Sequence, residues 1–383
     1  MYPNLYYFVK DIFSIELPFL KLVNTFGFFV ALAFIAAAWV LTAELKRKQT
    51  MGLLNYTEEK VKVGAPASFT DLLINFLLGF VFGFKIIGAF VVSEALNDPQ
   101  SFILSSQGSM GFGILLGLIM AAVKWYEKNK QKLAKPEERI VRIWPHDRVG
   151  DMVIFAAIFG FAGAKVFHNL ENWNEFIENP IDALISFSGL TFYGGLICAT
   201  IAIAWYAKRN KIGVIHLADA IAPAMMLAYA IGRIGCHMSG DGDWGIANTH
   251  PKPFSWLPDW AWAYHYPNNV INEGVKMVGC EGPYCNQLKD AVYPTPFFEV
   301  IACGILFYLL WSIRKKIKLP GIMTGIYLVL NGLERFSIEK IRVNTKYEGL
   351  PFQPTQAELI SFLLMLCGVM FLVMSKKWFT DRK

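Results

Sequence analysis

Lys85, Lys165, Asp219, Arg233, Glu299, Arg335 and Glu339 are ionisable side chains inside stretches that are otherwise apolar enough for a membrane. An ionised group in hydrocarbon costs a few kcal/mol unless something neutralises or uses it, so each is a functional candidate. Arg335 and Glu339 are spaced i, i+4 and Arg342 follows at i+7, which sets all three on one helical face. An ion pair accounts for Arg335 with Glu339; it leaves Arg233 as a second full cation, which an anionic ligand would explain. A planar guanidinium can grip a phosphate through two parallel hydrogen bonds, so the expected chemistry is that of a phosphate ester. Asp71, Asp151 and Asp219 lie instead at the inner ends of their stretches, where a carboxylate near a helix N-terminus needs only a capping explanation, preferred here for Asp71 and Asp151.

The elements that must position these groups follow from composition. Of 383 residues, 55 % are hydrophobic and only 17 % charged, against roughly a quarter charged in ordinary globular domains. With mean hydropathy at +0.39, lipid is the expected solvent. Nine candidate spans run over about 22–45, 71–92, 110–123, 149–170, 190–207, 216–235, 296–313, 321–341 and 358–375. Putting the segments after the odd-numbered spans on the cytoplasmic side assigns them 24 of the 36 basic residues, while 93–109 and 171–189 hold none. This positive-inside pattern predicts an all-α polytopic transmembrane bundle with the N-terminus outside and the C-terminus cytoplasmic. It also excludes a nucleic-acid partner, because the net charge of +6 is dispersed among loops and not gathered on one face. Residues 1–16 have Lys10 as their single basic residue, so no export signal is expected there.

The expected organisation is a first span with flanks over 1–50, an insertion with two extra spans over 51–145, core spans over 146–235, an exported loop over 236–293, and three C-terminal spans over 294–383. Arg335 lies 14 residues beyond Gly321, roughly 21 Å up an outward-running helix, and Lys165 is about as high above Gly150. Arg233 is at the outer end of its own span, so the cations are expected in the outer half of the membrane. The exported loop, with Trp244, Trp256, Trp260, Trp262, Tyr264 and Tyr266, is expected either to lie on the headgroups or to pack as a small cap. Oxidising conditions would permit a disulfide between Cys280 and Cys285 within it, with a zinc site with His250 or His265 well behind; whether the two cysteines pair stays open. Asp71, Gly83 and Lys85 recur at the same offsets as Asp151, Gly163 and Lys165, a hint of repetition.

The stretch from His216 through Asp219 and Pro223 to Gly232-Arg233-Ile234-Gly235, then Asp241-Gly242-Asp243-Trp244-Gly245, resembles the signature of prolipoprotein diacylglyceryl transferases. Thr191-Phe192-Tyr193-Gly194-Gly195 resembles the family's segment ending in a His and two glycines, with Tyr193 where the His stands. Tyr293-Pro294-Thr295-Pro296-Phe297-Phe298-Glu299 resembles its Pro-Ser/Thr-Gln-Leu-Tyr-Glu segment, and Arg335-Phe336 with Glu339 and Arg342 its C-terminal arginine helix. Asp151 to Lys165 resembles its early Asp, Gly and Arg helix. Cys236 replaces the usual Asn, and an Asp-Gly-Asp stretch the usual Gly-Glu.

The resemblance implies a multi-pass enzyme of the bacterial cytoplasmic (inner) membrane, with a seven-span core plus two and its active site on the extracytoplasmic side. The implied reaction transfers the diacylglyceryl group of phosphatidylglycerol to the lipobox cysteine thiol of a prolipoprotein, releasing glycerol 1-phosphate; it needs no metal and no cofactor. Arg233 and Arg335 would neutralise the leaving phosphate, with Lys165 as helper and Gly194, Gly195, Gly235, Gly245 and Glu339 shaping the substrate site. Tyr193, at the position of the family's His, would position or activate substrate, and the proton acceptor stays open, with Asp241, Asp243 and His237 as candidates. Cys236 is read as a small packed residue, since the attacking thiol belongs to the substrate. The alternative is a non-catalytic relative that binds anionic lipid or lipoprotein as an assembly factor; a transporter is a further one.

Overall fold

Long apolar runs become helices, and capping residues set their starts. The computed structural model describes residues 1–92, 102–103, 105–186, 189–347, 349 and 352–380. Parts of the basic-poor segments 93–109 and 171–189, and residues 381–383 of the basic tail, therefore lie outside the described residues. Among those described, seven helices are long and apolar enough to cross a membrane: Thr25–Thr50, Phe69–Phe90, Met110–Lys130, Pro145–Glu171, Val214–Ser239, Thr295–Ile313 and Gln356–Ser375. The two other expected spans are also helical, over Phe192–Arg209 and Ile322–Glu339, each 18 residues long. Their chemistry sets them apart: the second carries Glu334, Arg335 and Glu339 inside its last two turns. Large apolar side chains such as Ile35, Leu78, Ile158, Ile201, Ile305 and Val373 point outward, as a bilayer solvent requires.

The chain divides into two compact units. The first comprises residues 1–16, 23–55 and 207–383. Its helices are α1 (Leu5–Phe13), α2 (Thr25–Thr50), α9 (Val214–Ser239), α10 (Thr295–Ile313), α11 (Ile322–Glu339) and α12 (Gln356–Thr380). Helix α9 packs against α2, α10 and α11, and α11 against α12. Met226, Cys303, Leu310 and Met323 form the core where α9, α10 and α11 meet. Asp219 is not a cap of its own helix. It is buried on α9 and accepts from Gly321 N (2.8 Å), Thr324 N (2.9 Å) and Thr324 Oγ1 (2.8 Å), satisfying the orphan donors at the start of α11. Asp71, by contrast, forms the expected capping box with Ser68.

The loop over 236–293 packs as a cap. Trp244, Tyr266, Leu288 and Val292 form its buried core, the strands Val275–Lys276 and Asn286–Gln287 pair antiparallel, and Cys280 and Cys285 are disulfide-bonded. Phe254 and Trp256 stay exposed, stacked at 5.6 Å.

The second unit comprises residues 17–22 and 56–206. The all-α expectation is corrected here: β1 (Thr57–Val63) pairs antiparallel with β2 (Glu137–Ile143), Thr57 opposite Ile143. Both segments mix charged and β-branched residues and alternate them only at their ends, over Val61-Lys62-Val63 and Val141-Arg142-Ile143. Between them, α3 (Phe69–Val81), continued by a π-helical turn over Phe82–Ile87, folds back on α4 (Met110–Lys130). After the ribbon, α5 (Val149–Glu171) is followed by two short helices, α6 (Trp173–Glu178) and α7 (Pro180–Ile185), before α8 (Phe192–Arg209).

The two long hairpins are built alike. Ser109 N donates to Phe84 O at 3.0 Å, and Thr191 N to Ala164 O at 3.1 Å, one residue before Lys85 and Lys165 respectively. A β-carbon on Gly83 would meet Phe112 O at 2.2 Å, and one on Gly163 would meet Gly194 O at 2.6 Å. Each lysine ties its connecting loop: Lys85 donates to the Phe102, Ser105 and Gln107 carbonyls, Lys165 to Ser186 Oγ at 2.9 Å.

Candidate active site

Three arginines converge on one fully buried carboxylate, that of Glu299. It sits in the first turns of α10, a helix started by Pro296 near its N-terminus. Its oxygens lie 3.2 Å from Arg233 Nε, 3.3 Å from Arg335 Nη1 and 3.7 Å from Arg342 Nη1, and it accepts from Tyr229 Oη at 2.8 Å. Arg335 Nη2 also meets Glu339 Oε2 at 3.0 Å, the expected i, i+4 pair. Glu339 Oε1 in turn accepts from Asn344 Nδ2 at 2.6 Å and Thr355 Oγ1 at 2.7 Å.

The third carboxylate arrives from the cap. Helix α9 ends at Gly240, φ +65°, whose N–H reaches back to Cys236 O at 3.0 Å, and Gly242 follows at φ +98°. These left-handed positions, cheap for glycine alone, turn the chain back over its own last turn. Asp243 then pairs with Arg233 and, at 2.5 Å, with Arg342 Nη2. Burial opposes ionisation of Asp243, but the two arginines outweigh it and hold its carboxyl at about 2. Asp241 has the opposite balance: burial, then the Asp243 charge, push it up. Gly245 bridges to Arg342, and a β-carbon there would lie 2.5 Å from Ile341 O.

The sequence argument that pairing leaves Arg233 unexplained is corrected by this geometry. Arg233, Arg335 and Arg342 face Glu299, Glu339 and Asp243, so the set is balanced in charge. In the sequence Glu299 and Arg342 each read alone as one more charge, which hides their place at the centre of the cluster. The available signal was that Glu299, in a span with no basic residue of its own, needed a cation from elsewhere. Glu334, next to Arg335, is a further buried carboxyl with neither oxygen hydrogen-bonded among the described residues. Beside it a groove of about 440 Å³ opens between α10 and α11, lined by Phe298, Ile305, Leu306, Leu330 and Leu333.

The other site candidates divide between the units. Gly235 is a helix contact, since a β-carbon there would sit 2.9 Å from Phe29 Cβ on α2. Cys236 is buried, as a packed small residue should be. Lys165, Tyr193, Gly194 and Gly195 belong to the second unit. Tyr193 is half-buried in the first turn of α8, edge-on to Phe192 at 5.7 Å. Gly194 and Gly195 let α8 close on α5: β-carbons would lie 2.4 Å from Phe167 Cβ and 2.9 Å from Gly160 O.

Residues 111–374 match the family model described as prolipoprotein diacylglyceryl transferase. Similar proteins include the phosphatidylglycerol–prolipoprotein diacylglyceryl transferases of Leptospira interrogans, 26 % identical over 74 % of this chain and 95 % of that protein, and of Dehalococcoides mccartyi, 26 % identical over 72 % and 93 %. That of Staphylococcus aureus is 28 % identical over 72 % of this chain and 88 % of its own.

Proposed function

The chain belongs to the prolipoprotein diacylglyceryl transferase family, and on that premise we propose that it moves the diacylglyceryl group of phosphatidylglycerol to the lipobox cysteine thiol of prolipoproteins. The observation that carries the reading is the convergence of Arg233, Arg335 and Arg342 on Glu299 beside an apolar groove. A lipid with its acyl chain along Leu306 and Leu330 would bring its phosphate toward the guanidiniums.

The charge balance says how a phosphate enters. Glu299 is fixed in the interior, whereas Asp243 is held on a glycine turn with about a third of its side chain accessible. The phosphate therefore displaces Asp243 and takes Arg233 and Arg342, while Arg335 stays anchored between Glu299 and Glu339. As the thiolate sulfur bonds to the glyceryl carbon, the carbon–oxygen bond breaks and a second negative charge develops on the departing glycerol 1-phosphate. Preorganised guanidiniums out of bulk water stabilise that charge. Gly245 keeps Arg342 close. The topology that fits is nine spans in the bacterial inner membrane, N-terminus outside and C-terminus cytoplasmic, with the arginines toward the extracytoplasmic side.

Purified protein given phosphatidylglycerol and a lipobox peptide is expected to release glycerol 1-phosphate. Arg335→Lys keeps the charge but loses the two-pronged contact, so it is expected to fold and to lose transfer. Undiminished release from both Arg335→Lys and Arg233→Ala would refute the phosphate assignment.

A further inference from the structure

Transfer to a thiol needs a group that takes the proton, since the thiolate is the nucleophile and an unperturbed thiol ionises near 8.5. Three of the carboxylates beside the arginines are committed: both oxygens of Asp243 and of Glu299 face guanidiniums, and Glu339 is shared by Arg335, Asn344 and Thr355. His237 is not committed. It lies one turn after Arg233 on α9, at i+4 and so on the same face. Its Nδ1 is 3.1 Å from Tyr266 Oη, while Nε2 makes no hydrogen bond among the described residues, and the residue is half-buried.

The cap is built to hold that arrangement. Tyr266 is fully buried yet sits at φ +46°, a left-handed conformation that a bulky side chain rarely adopts. The corner is clamped: Asn269, also fully buried, donates to the carbonyls of Tyr266 (3.2 Å), Glu273 (3.0 Å) and Asn286 (3.2 Å). Backbone strain maintained by its surroundings is found disproportionately where a side chain must be aimed. Here the aimed atom is the Tyr266 hydroxyl, and its target is the imidazole. Trp260, Tyr264 and Phe297 ring the imidazole at 6.0, 6.3 and 5.6 Å between centroids, fixing its plane.

We propose that His237 is the proton acceptor for the lipobox thiol and that Tyr266 is its positioning residue, an inference that rests on the transferase reading above. With Nδ1–H donating to Tyr266 Oη, the lone pair of Nε2 accepts the S–H proton. The sulfur pair forms the carbon–sulfur bond, the carbon–oxygen bond breaks with its electrons leaving on the phosphate oxygen, and the imidazolium returns its proton to the departing phosphate or to water.

The test compares lipobox peptides bearing cysteine or selenocysteine, because a selenol is ionised without help where a thiol is not. His237→Gln is expected to lower kcat on the cysteine peptide by about 10²-fold or more with KM for phosphatidylglycerol unchanged, and to regain most of the wild-type rate on the selenocysteine peptide. Tyr266→Phe is expected to lose less, with the same rescue; Arg335→Lys is expected to stay inactive with both peptides. Rescue also shows that the variant is folded. A wild-type rate for His237→Gln on cysteine, or an equal loss on both peptides, overturns the assignment. A wild-type protein that transfers to neither peptide overturns the transferase reading itself.

Discussion

Glu299 is the residue whose removal should most change the charged cluster. Arg233, Arg335 and Arg342 are each at least four-fifths buried, and Glu299 is wholly so. Replacing it with Ala leaves a buried excess of one positive charge and removes the acceptor for Tyr229 Oη. Breaking a buried pair from one side costs about 3–5 kcal/mol, and an orphaned buried donor about 1–3 kcal/mol, partly the same energy. Glu299→Gln keeps an oxygen for Tyr229 and isolates the charge. It is therefore expected to lose less than Glu299→Ala. The same excess should favour an anion, so added phosphatidylglycerol should restore stability to Glu299→Gln more than to wild type, by mass action on the folded state, whereas a zwitterionic lipid should not. The assay is denaturant unfolding of the protein in mixed micelles, with and without each lipid. Wild-type stability in both variants, or equal stabilisation by the two lipids, would refute the claim that Glu299 neutralises the arginines.

Asp243 supplies a pH signature. Its folded value of about 2 lies below the ordinary 3.8, so its pairing contributes fully above 3.8 and is lost as pH falls from there through about 2. With a third of the side chain accessible, the contribution is about 1–2 kcal/mol after screening; the stability gap between wild type and Asp243→Asn should be flat at neutral pH and close over that acid window. A gap that persists at pH 2 would count against it. In the second unit, Gly163→Leu should destabilise by about 1–3 kcal/mol, because even a β-carbon would lie 2.4 Å from Cys198 Cβ; Gly150→Leu, with nothing within 4 Å of its β-carbon, is the control. Equal unfolding midpoints for the two would show that the α5–α8 contact does not bear on stability.

Most helices could be read from the sequence because a run of apolar residues near span length has few alternatives. The ribbon of β1 and β2 is not legible for a local reason: Thr57–Val63 and Glu137–Ile143 lie inside basic segments that read as loop, and each alternates over only its last three residues. The cap escaped because its order depends on contacts distant in sequence. Asn269 gathering three carbonyls and the Met1 amine donating to Pro267 O at 2.7 Å leave no periodic trace. Arg233, Arg335 and Glu339 were found from the rule that a charge in a span needs a reason. That rule treats each charge singly, so it assigned Arg233 to a ligand.

Pairing changes what the arginines imply. A cluster already neutral does not attract a phosphate by net charge; it exchanges one anion for another, and specificity then rests on which carboxylate can leave. Glu299 cannot, because Tyr229, Arg233 and Arg335 hold it in the interior. Glu339 is tied by Asn344 and Thr355. Asp243 can, because its position depends on the turn at Gly240 and Gly242 and on two bonds of its backbone, Thr295 Oγ1 donating to Asp243 O at 2.6 Å and Asp243 N to Asp241 Oδ1 at 3.3 Å. His237 lies on the same short stretch, between Arg233 and that turn. Under the proposed mechanism, movement of Asp243 off Arg233 would open the phosphate position within one helical turn of the imidazole, and lipid binding and proton transfer would be coupled through the last turn of α9.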